Sequence, residues 1–292
     1  MVRWARALVF ALAVASGAAA AETPVERGRY LVESILACGN CHSPRGSDGR
    51  VLAGKSLAGG ITFDLPPFLV TASNITRDRE TGIGAWSAAD IKRALIEGVR
   101  PSVARQPGVP LAAIMPVSFY KALIPSDLDA VAAYLRSVPA VRNPLPEPIY
   151  RVPAGHQPYP DAEKRYTAAA LRDPVTRGRY LATIGHCMEC HTPMAGPVVQ
   201  YDTAFGKGGR DFGTLKGAPP SWQGSIARNI TSHRTAGIGA WTDAEIKRAI
   251  TKGISRDGRP LKPPMAYDAY GRMTAADLSA LVAWLRTVPP LD

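Results

Sequence analysis

Two five-residue stretches carry the residue types best able to do chemistry: Cys38-Gly39-Asn40-Cys41-His42 and Cys187-Met188-Glu189-Cys190-His191. Each reads C-x-x-C-H. Two cysteines three apart on a helical turn can each add to one vinyl group of a single porphyrin, giving two thioethers. The histidine directly after the second cysteine is then held under the ring, with an imidazole nitrogen at the iron. The chain has four cysteines, and these motifs use all of them. A thioredoxin-like dithiol or a four-cysteine zinc site would use the same letters. Both leave the two histidines without a role, and the dithiol wants a strand before the motif, where a helical pattern stands. The motifs therefore predict two covalently bound haem c groups. One is attached at Cys38 and Cys41, the other at Cys187 and Cys190, with His42 and His191 as proximal ligands.

A sixth iron ligand has to come from elsewhere. After the leader, the first half contains one methionine, Met115, in Pro110-Leu-Ala-Ala-Ile-Met115-Pro116. In the second half Met188, Met194, Met265 and Met273 compete. Met188 and Met194 flank the proximal histidine and would have to reach around the ring, whereas Met265 aligns with Met115 at an offset of 150. A thioether sulfur is a soft ligand suited to haem iron, so Met115 and Met265 are the expected distal ligands. His/Met ligation raises the reduction potential and leaves no position open for a substrate. It points to electron transfer and not to catalysis. The competing class is a dihaem redox enzyme, a peroxidase or a thiosulfate-type dehydrogenase, which needs one open or His- or Cys-ligated iron. His156, His186 and His233 are read as surface or locally hydrogen-bonded residues.

The elements that must position these residues occur twice. Arg27-Gly28-Arg29-Tyr30-Leu31 recurs as Arg177-Gly178-Arg179-Tyr180-Leu181, and Asn74-Ile75-Thr76 as Asn229-Ile230-Thr231. Gly82-Ile83-Gly84-Ala85-Trp86 recurs as Gly237-Ile238-Gly239-Ala240-Trp241, and Tyr134-Leu135-Arg136-Ser137-Val138-Pro139 as Trp284-Leu285-Arg286-Thr287-Val288-Pro289. The pattern predicts an all-α fold of two tandem cytochrome c-type haem domains, an internal duplication with long haem-wrapping loops. The expected units are a signal peptide over 1–21, domain 1 over 22–139, a Pro-rich linker over 140–174 and domain 2 over 175–292. Three helices are expected in each copy. The first runs over about 24–37. The second is capped by Ser87 with Asp90, or Thr242 with Glu245, and the third ends at Val138 or Val288. Gly28 and Gly178 fall where the first helix crosses the third, opposite Tyr134 and Trp284. Trp86, Trp241, Asn74 and Asn229 are candidates to line the haem. The stretches 45–81 and 195–235 lack periodicity and are read as loops around the porphyrin.

Arg3 and Arg6, an apolar run over 7–15 and Ala19-Ala20-Ala21 read as a cleaved secretory leader, placing the protein in the periplasm or otherwise outside the cytoplasm. No later stretch is long and apolar enough to cross a membrane. The chain carries 35 basic and 24 acidic residues, a formal charge of +11. No basic run marks it for nucleic acid. The excess suits docking onto an acidic redox protein. Lys252, Arg256, Arg259 and Lys262 crowd the approach to Met265, while the first half offers chiefly Arg100 and Arg105.

Together the C-x-x-C-H, N-I-T, T-G-I-G-x-W and I-K-R-A segments and the P-x-M-x-x-x-x-Y loop resemble the haem domains of bacterial multihaem cytochrome c subunits. Those subunits serve alcohol, gluconate and aldehyde dehydrogenases and molybdenum hydroxylases. The resemblance implies a carrier that accepts electrons from a partner dehydrogenase subunit and passes them to a cytochrome or oxidase. It also implies His42 with Met115, and His191 with Met265, as axial pairs. Membrane-bound members commonly have three haem domains and a membrane-associating end. This chain shows two motifs, so a soluble dihaem carrier or dehydrogenase subunit is the expected form.

Overall fold

The computed structural model describes residues 21–101, 108–212, 220–222 and 224–292. Apart from Ala21, the expected leader lies outside the described residues, as does Arg105. No helix among the described residues is long and apolar enough to cross a membrane.

The chain opens with α1 (Pro24–Glu33). Thr23 caps it through a reciprocal pair with Glu26, and Pro24 fills the first turn, where its missing N–H costs nothing. The first motif follows on α2 (Gly39–His42), then β1 (Thr62–Leu65), β2 (Phe68–Thr71) and α3 (Ala88–Ile96). After α3 come α4 (Val117–Tyr120), α5 (Pro125–Leu135) and β3 (Ile149–Tyr150). The second half runs α6 (Pro174–Ile184), α7 (Cys187–His191), β4 (Met194–Ala195), β5 (Val198–Val199), α8 (Asp243–Lys252), α9 (Tyr267–Tyr270) and α10 (Ala275–Leu285). Capping boxes start α3 at Ser87 with Asp90 and α8 at Thr242 with Glu245, as their spacing predicts.

In each half the first long helix crosses the last through a glycine. A Cβ on Gly28 would lie 1.9 Å from the Ala130 carbonyl oxygen and 2.7 Å from Tyr134 Cβ. On Gly178 it would lie 1.9 Å from the Ala280 carbonyl oxygen and 2.8 Å from Trp284 Cβ. Only glycine lets α1 reach α5, and α6 reach α10, this closely.

The expected all-α fold of two duplicated tandem domains does not form. Helix accounts for 34% and strand for 9% of the structure. Part of the stretch expected to be a haem-wrapping loop is an antiparallel hairpin, with Thr62 opposite Thr71 and Leu65 opposite Phe68. The reason is local. β-branched and aromatic residues flank Pro66-Pro67, and the buried face (Phe63, Phe68, Val70) packs on Ala112 and on Trp222 from the second half. Nor are the halves copies. Among the described residues the first carries a three-stranded sheet in the order β1-β2-β3, the second only the two-residue strands β4 and β5.

The Pro-rich linker is more than a spacer on the surface. It supplies β3, and it buries Tyr159, Ala162 and Leu171 in the main core. Tyr159 stacks on Phe119 at 4.3 Å between ring centroids. That core is continuous, joining Leu31, Ile35 and Val131 of the first half to Leu181, Ile184 and Val282 of the second. Two reciprocal contacts close the join. Tyr30 Oη donates to Asp277 at 2.6 Å, and Tyr180 Oη donates to Asp127 at 2.6 Å. Each aspartate also pairs within its own half, Asp127 with Arg27 at 2.9 Å and Asp277 with Arg177.

Candidate haem-binding sites

Both motifs lie on a helical turn that follows a long helix. In the first, His42 Nδ1 lies 2.7 Å from the Ser73 carbonyl oxygen. In the second, His191 Nδ1 lies 2.7 Å from the Arg228 carbonyl oxygen. A carbonyl only accepts, so each Nδ1 carries the proton and donates it, leaving the Nε2 lone pair for a ligand. Burial holds both imidazoles below the usual histidine range, so both are neutral. At His42 the Ser73 carbonyl opposes that shift and the Arg100 charge adds to it. The backbone supports the same orientation twice. Gly59 N–H donates to the His42 carbonyl at 2.8 Å, and Gly208 N–H donates to the His191 carbonyl at 2.8 Å.

None of the four cysteines is in a disulfide. Burial pushes the thiols of Cys38, Cys41 and Cys187 up to about 12, so they are neutral sulfur in an apolar setting, unlike an activated dithiol. Among the described residues no three His, Cys, Asp or Glu side chains converge as a metal cage. The donor set thus fits a covalently held haem: two sulfurs for thioethers and one neutral imidazole with a free Nε2.

The two methionine loops are built alike. Each follows a long helix and a glycine at positive φ, Gly98 (+71°) or Gly253 (+62°). The chain then makes a single antiparallel bridge, Val99 with Pro110 or Ile254 with Pro260. Leu111 N–H donates to the Gly98 carbonyl at 2.7 Å and Leu261 N–H to the Gly253 carbonyl at 2.7 Å. The methionine carbonyl then accepts the N–H two residues on, from Val117 at 2.8 Å or Tyr267 at 3.0 Å. Met115 and Met265 are partly buried against the main core. The rivals sit elsewhere. Met188 is wholly buried, Met273 is buried in the core, and Met194 is 41% exposed on β4.

Met115 lines a cavity of about 360 Å³ together with Ser73, Asn74, Trp86, Arg100 and Leu111. Asn74 has a structural task as well: its Oδ1 accepts from Thr76, and its Nδ2 donates to the Val141 carbonyl at 2.8 Å. Asn229 repeats this with Thr231 and the Leu291 carbonyl.

Each of the other histidines has a local partner. His156 Nε2 lies 3.1 Å from the Leu111 carbonyl, and His233 Nδ1 accepts the Ala236 N–H at 3.0 Å. His186, 3.3 Å from Glu189, is wedged against Phe119 and Tyr120 of the first half.

The docking surface read from sequence changes. Arg256 pairs with Glu245 at 3.5 Å and Arg259 with Asp257 at 3.1 Å, leaving Lys252 and Lys262 outside any ion pair among the described residues. Arg100 turns into the cavity.

One contact that sequence reasoning missed joins the two sites. Asn40, inside the first motif, donates to the Pro264 carbonyl, next to Met265, at 2.8 Å. No sequence signal marks it, since its partners lie 224 residues apart.

A cytochrome c family model matches residues 175–289. The chain is 30% identical over 240 residues to the gluconate 2-dehydrogenase cytochrome c subunit of Pantoea cypripedii, covering 78% of this chain and 51% of that one. It is 30% identical over 264 residues to the cytochrome c subunit of a quinone-type alcohol dehydrogenase of Gluconobacter oxydans, covering 83% and 50%. It is 27% identical over 276 residues to a diheme c-type cytochrome of Cereibacter sphaeroides, covering 87% and 83%. The chain thus spans about half the length of the two dehydrogenase subunits.

Proposed function

From a chain that carries a cytochrome c domain over 175–289 and resembles the cytochrome c subunits of bacterial dehydrogenases, we propose an exported dihaem electron carrier. It takes electrons from a partner dehydrogenase and passes them to a cytochrome or oxidase. The observation that carries this reading is the twofold occurrence of one arrangement. Each motif histidine has its Nδ1 tied to a carbonyl, and each half has a methionine on the same bridged loop.

Haem iron, when bound, supplies one-electron chemistry. The protein's part is to hold and orient it. Cys38 with Cys41, and Cys187 with Cys190, are the thioether attachments. The Ser73 and Arg228 carbonyls fix the tautomer and ring plane of His42 and His191 and raise their basicity as ligands. Met115 and Met265 would supply the sulfur ligands and keep water and small molecules away. A haem held by these residues would be set up to take and pass on single electrons, with no position offered to a substrate.

Changing the methionines tests the reading. Met115→His and Met265→His are each expected to remove the sulfur-to-iron charge-transfer band of one haem. Each should lower that haem's midpoint by roughly 0.2 V, within the range that axial ligands span. Full retention of the band in the double variant would rule out these ligands.

A further inference from the structure

Among the described residues, Arg100 is the one cation lining the cavity beside Met115. Its backbone is fixed, because the Arg100 N–H donates to the Val109 carbonyl at 3.0 Å next to the Val99–Pro110 bridge. Its side chain is not satisfied: the Nε is buried with no hydrogen-bond partner. A buried guanidinium N–H without an acceptor is costly, so it marks a place where an acceptor belongs. The same cavity is lined by Ser73, whose carbonyl holds His42, and by Met115. It lies between the anchors of the two expected ligands of the first iron. Two carboxylates, Glu80 and Glu147, also line it, and Glu80 is held by Arg142 at 3.3 Å.

The second half lacks this cation. Gly98-Val99-Arg100 and Gly253-Ile254-Ser255 occupy the same bridged turn, with Ser255 N–H donating to the Arg259 carbonyl at 2.9 Å. Ser255 Oγ is consumed within its own turn, by Asp257 and the Arg259 carbonyl. Arg248 also buries an Nε without a partner, but its Nη2 donates to the Ser255 and Arg256 carbonyls at 2.9 and 3.1 Å. It is a brace for the loop.

We propose that Arg100 holds a propionate of the first haem, and that this fixed charge, replaced by Ser255 in the second half, makes the first site the better electron acceptor. The proposal rests on the dihaem reading. Reduction adds one electron at the iron, lowering its charge by one. A guanidinium that neutralises a propionate removes a negative charge that would otherwise favour the oxidised state, so it favours the reduced state. Electrons then pass from the second site, which is oxidised, to the first, which is reduced.

The test is an anaerobic spectroelectrochemical titration of the haem-loaded chain, with haems per chain counted in parallel. The first-site wave is the one that Met115→His displaces. Arg100→Gln is expected to shift the first-site equilibrium about tenfold towards the oxidised form, about 59 mV for one electron, and to leave the second wave in place. Arg100→Lys keeps the charge and should retain most of the wild-type midpoint. Ser255→Arg should raise the second wave, which keeps the proposal testable if Arg100→Gln folds poorly. Two haems with midpoints unmoved in Arg100→Gln and Ser255→Arg, or Arg100→Lys falling as far as Arg100→Gln, overturn the assignment of Arg100. A count of one haem per chain overturns the dihaem reading instead.

Discussion

Gly178→Ala is expected to destabilise the protein by more than about 3 kcal/mol and to sharply reduce haem incorporation at the second motif, with Gly28→Ala doing the same at the first. A Cβ at either position would meet a backbone carbonyl oxygen at 1.9 Å, far inside contact distance. The obstacle is not a flexible side-chain tip that can swing away. It is the wall of the neighbouring helix, so the two helices must part. Separating α6 from α10 uncovers Leu181, Leu281 and Trp284 in the main core. It also shifts the turn that leads from Ile184 to Cys187, the first sulfur of the motif. The measurement is thermal unfolding together with covalent haem per chain. A Gly178→Ala protein with wild-type melting and full haem content would contradict the close crossing.

Asp127→Ala carries the second large effect, about 3–5 kcal/mol, because it strands a partly buried guanidinium and a buried phenol together. Asp127 is 3% exposed. It accepts two bonds from Arg27 at 2.9 Å each and one from Tyr180 Oη. Asp277→Ala removes the mirror set, Arg177 and Tyr30. For a chain of this size that loss corresponds to a fall of about 10 °C in melting temperature. Tyr180→Phe spares the arginine pair and should cost only about 1 kcal/mol. Because both aspartates tie the same join, the double variant should depart from additivity. Strict additivity of Asp127→Ala and Asp277→Ala would mean that the two halves do not brace one another.

Parts of this structure are legible in the sequence because their causes are local. The capping boxes at Ser87 and Thr242 need only a three-residue spacing, and both form. Gly28 and Gly178 stand opposite Tyr134 and Trp284, as the paired glycines suggest. The C-x-x-C-H spacing places each histidine on its helical turn. What is not legible depends on distant partners. Tyr30 and Tyr180 look like ordinary members of an apolar helix face, yet their hydroxyls cross to aspartates 247 and 53 residues away. The Pro66-Pro67 hairpin hides in a Gly- and Pro-rich stretch, although the polar–apolar alternation of Thr62-Phe63-Asp64-Leu65 and the apolar run Phe68-Leu69-Val70 were the available signal. Arg100 counts towards surface charge in the sequence. The bridge to Pro110 sets it in the cavity instead.

That last difference alters the basis of direction. Lys252 and Lys262 still offer a basic approach to the second site, but ion pairs answer Arg256 and Arg259. On the proposed dihaem reading, a difference between the sites would therefore come more from the residues around each motif, Arg100 against Ser255, than from net surface charge. The Asn40–Pro264 hydrogen bond ties the first motif directly to the loop that carries Met265.

The most direct measurement is an anaerobic redox titration of the haem-loaded wild-type chain with covalent haem counted by mass. Two haems per chain, titrating as two one-electron waves with a sulfur-to-iron band at each, are predicted. A single covalent haem, or a ferrous site that binds carbon monoxide without displacing methionine, would contradict it.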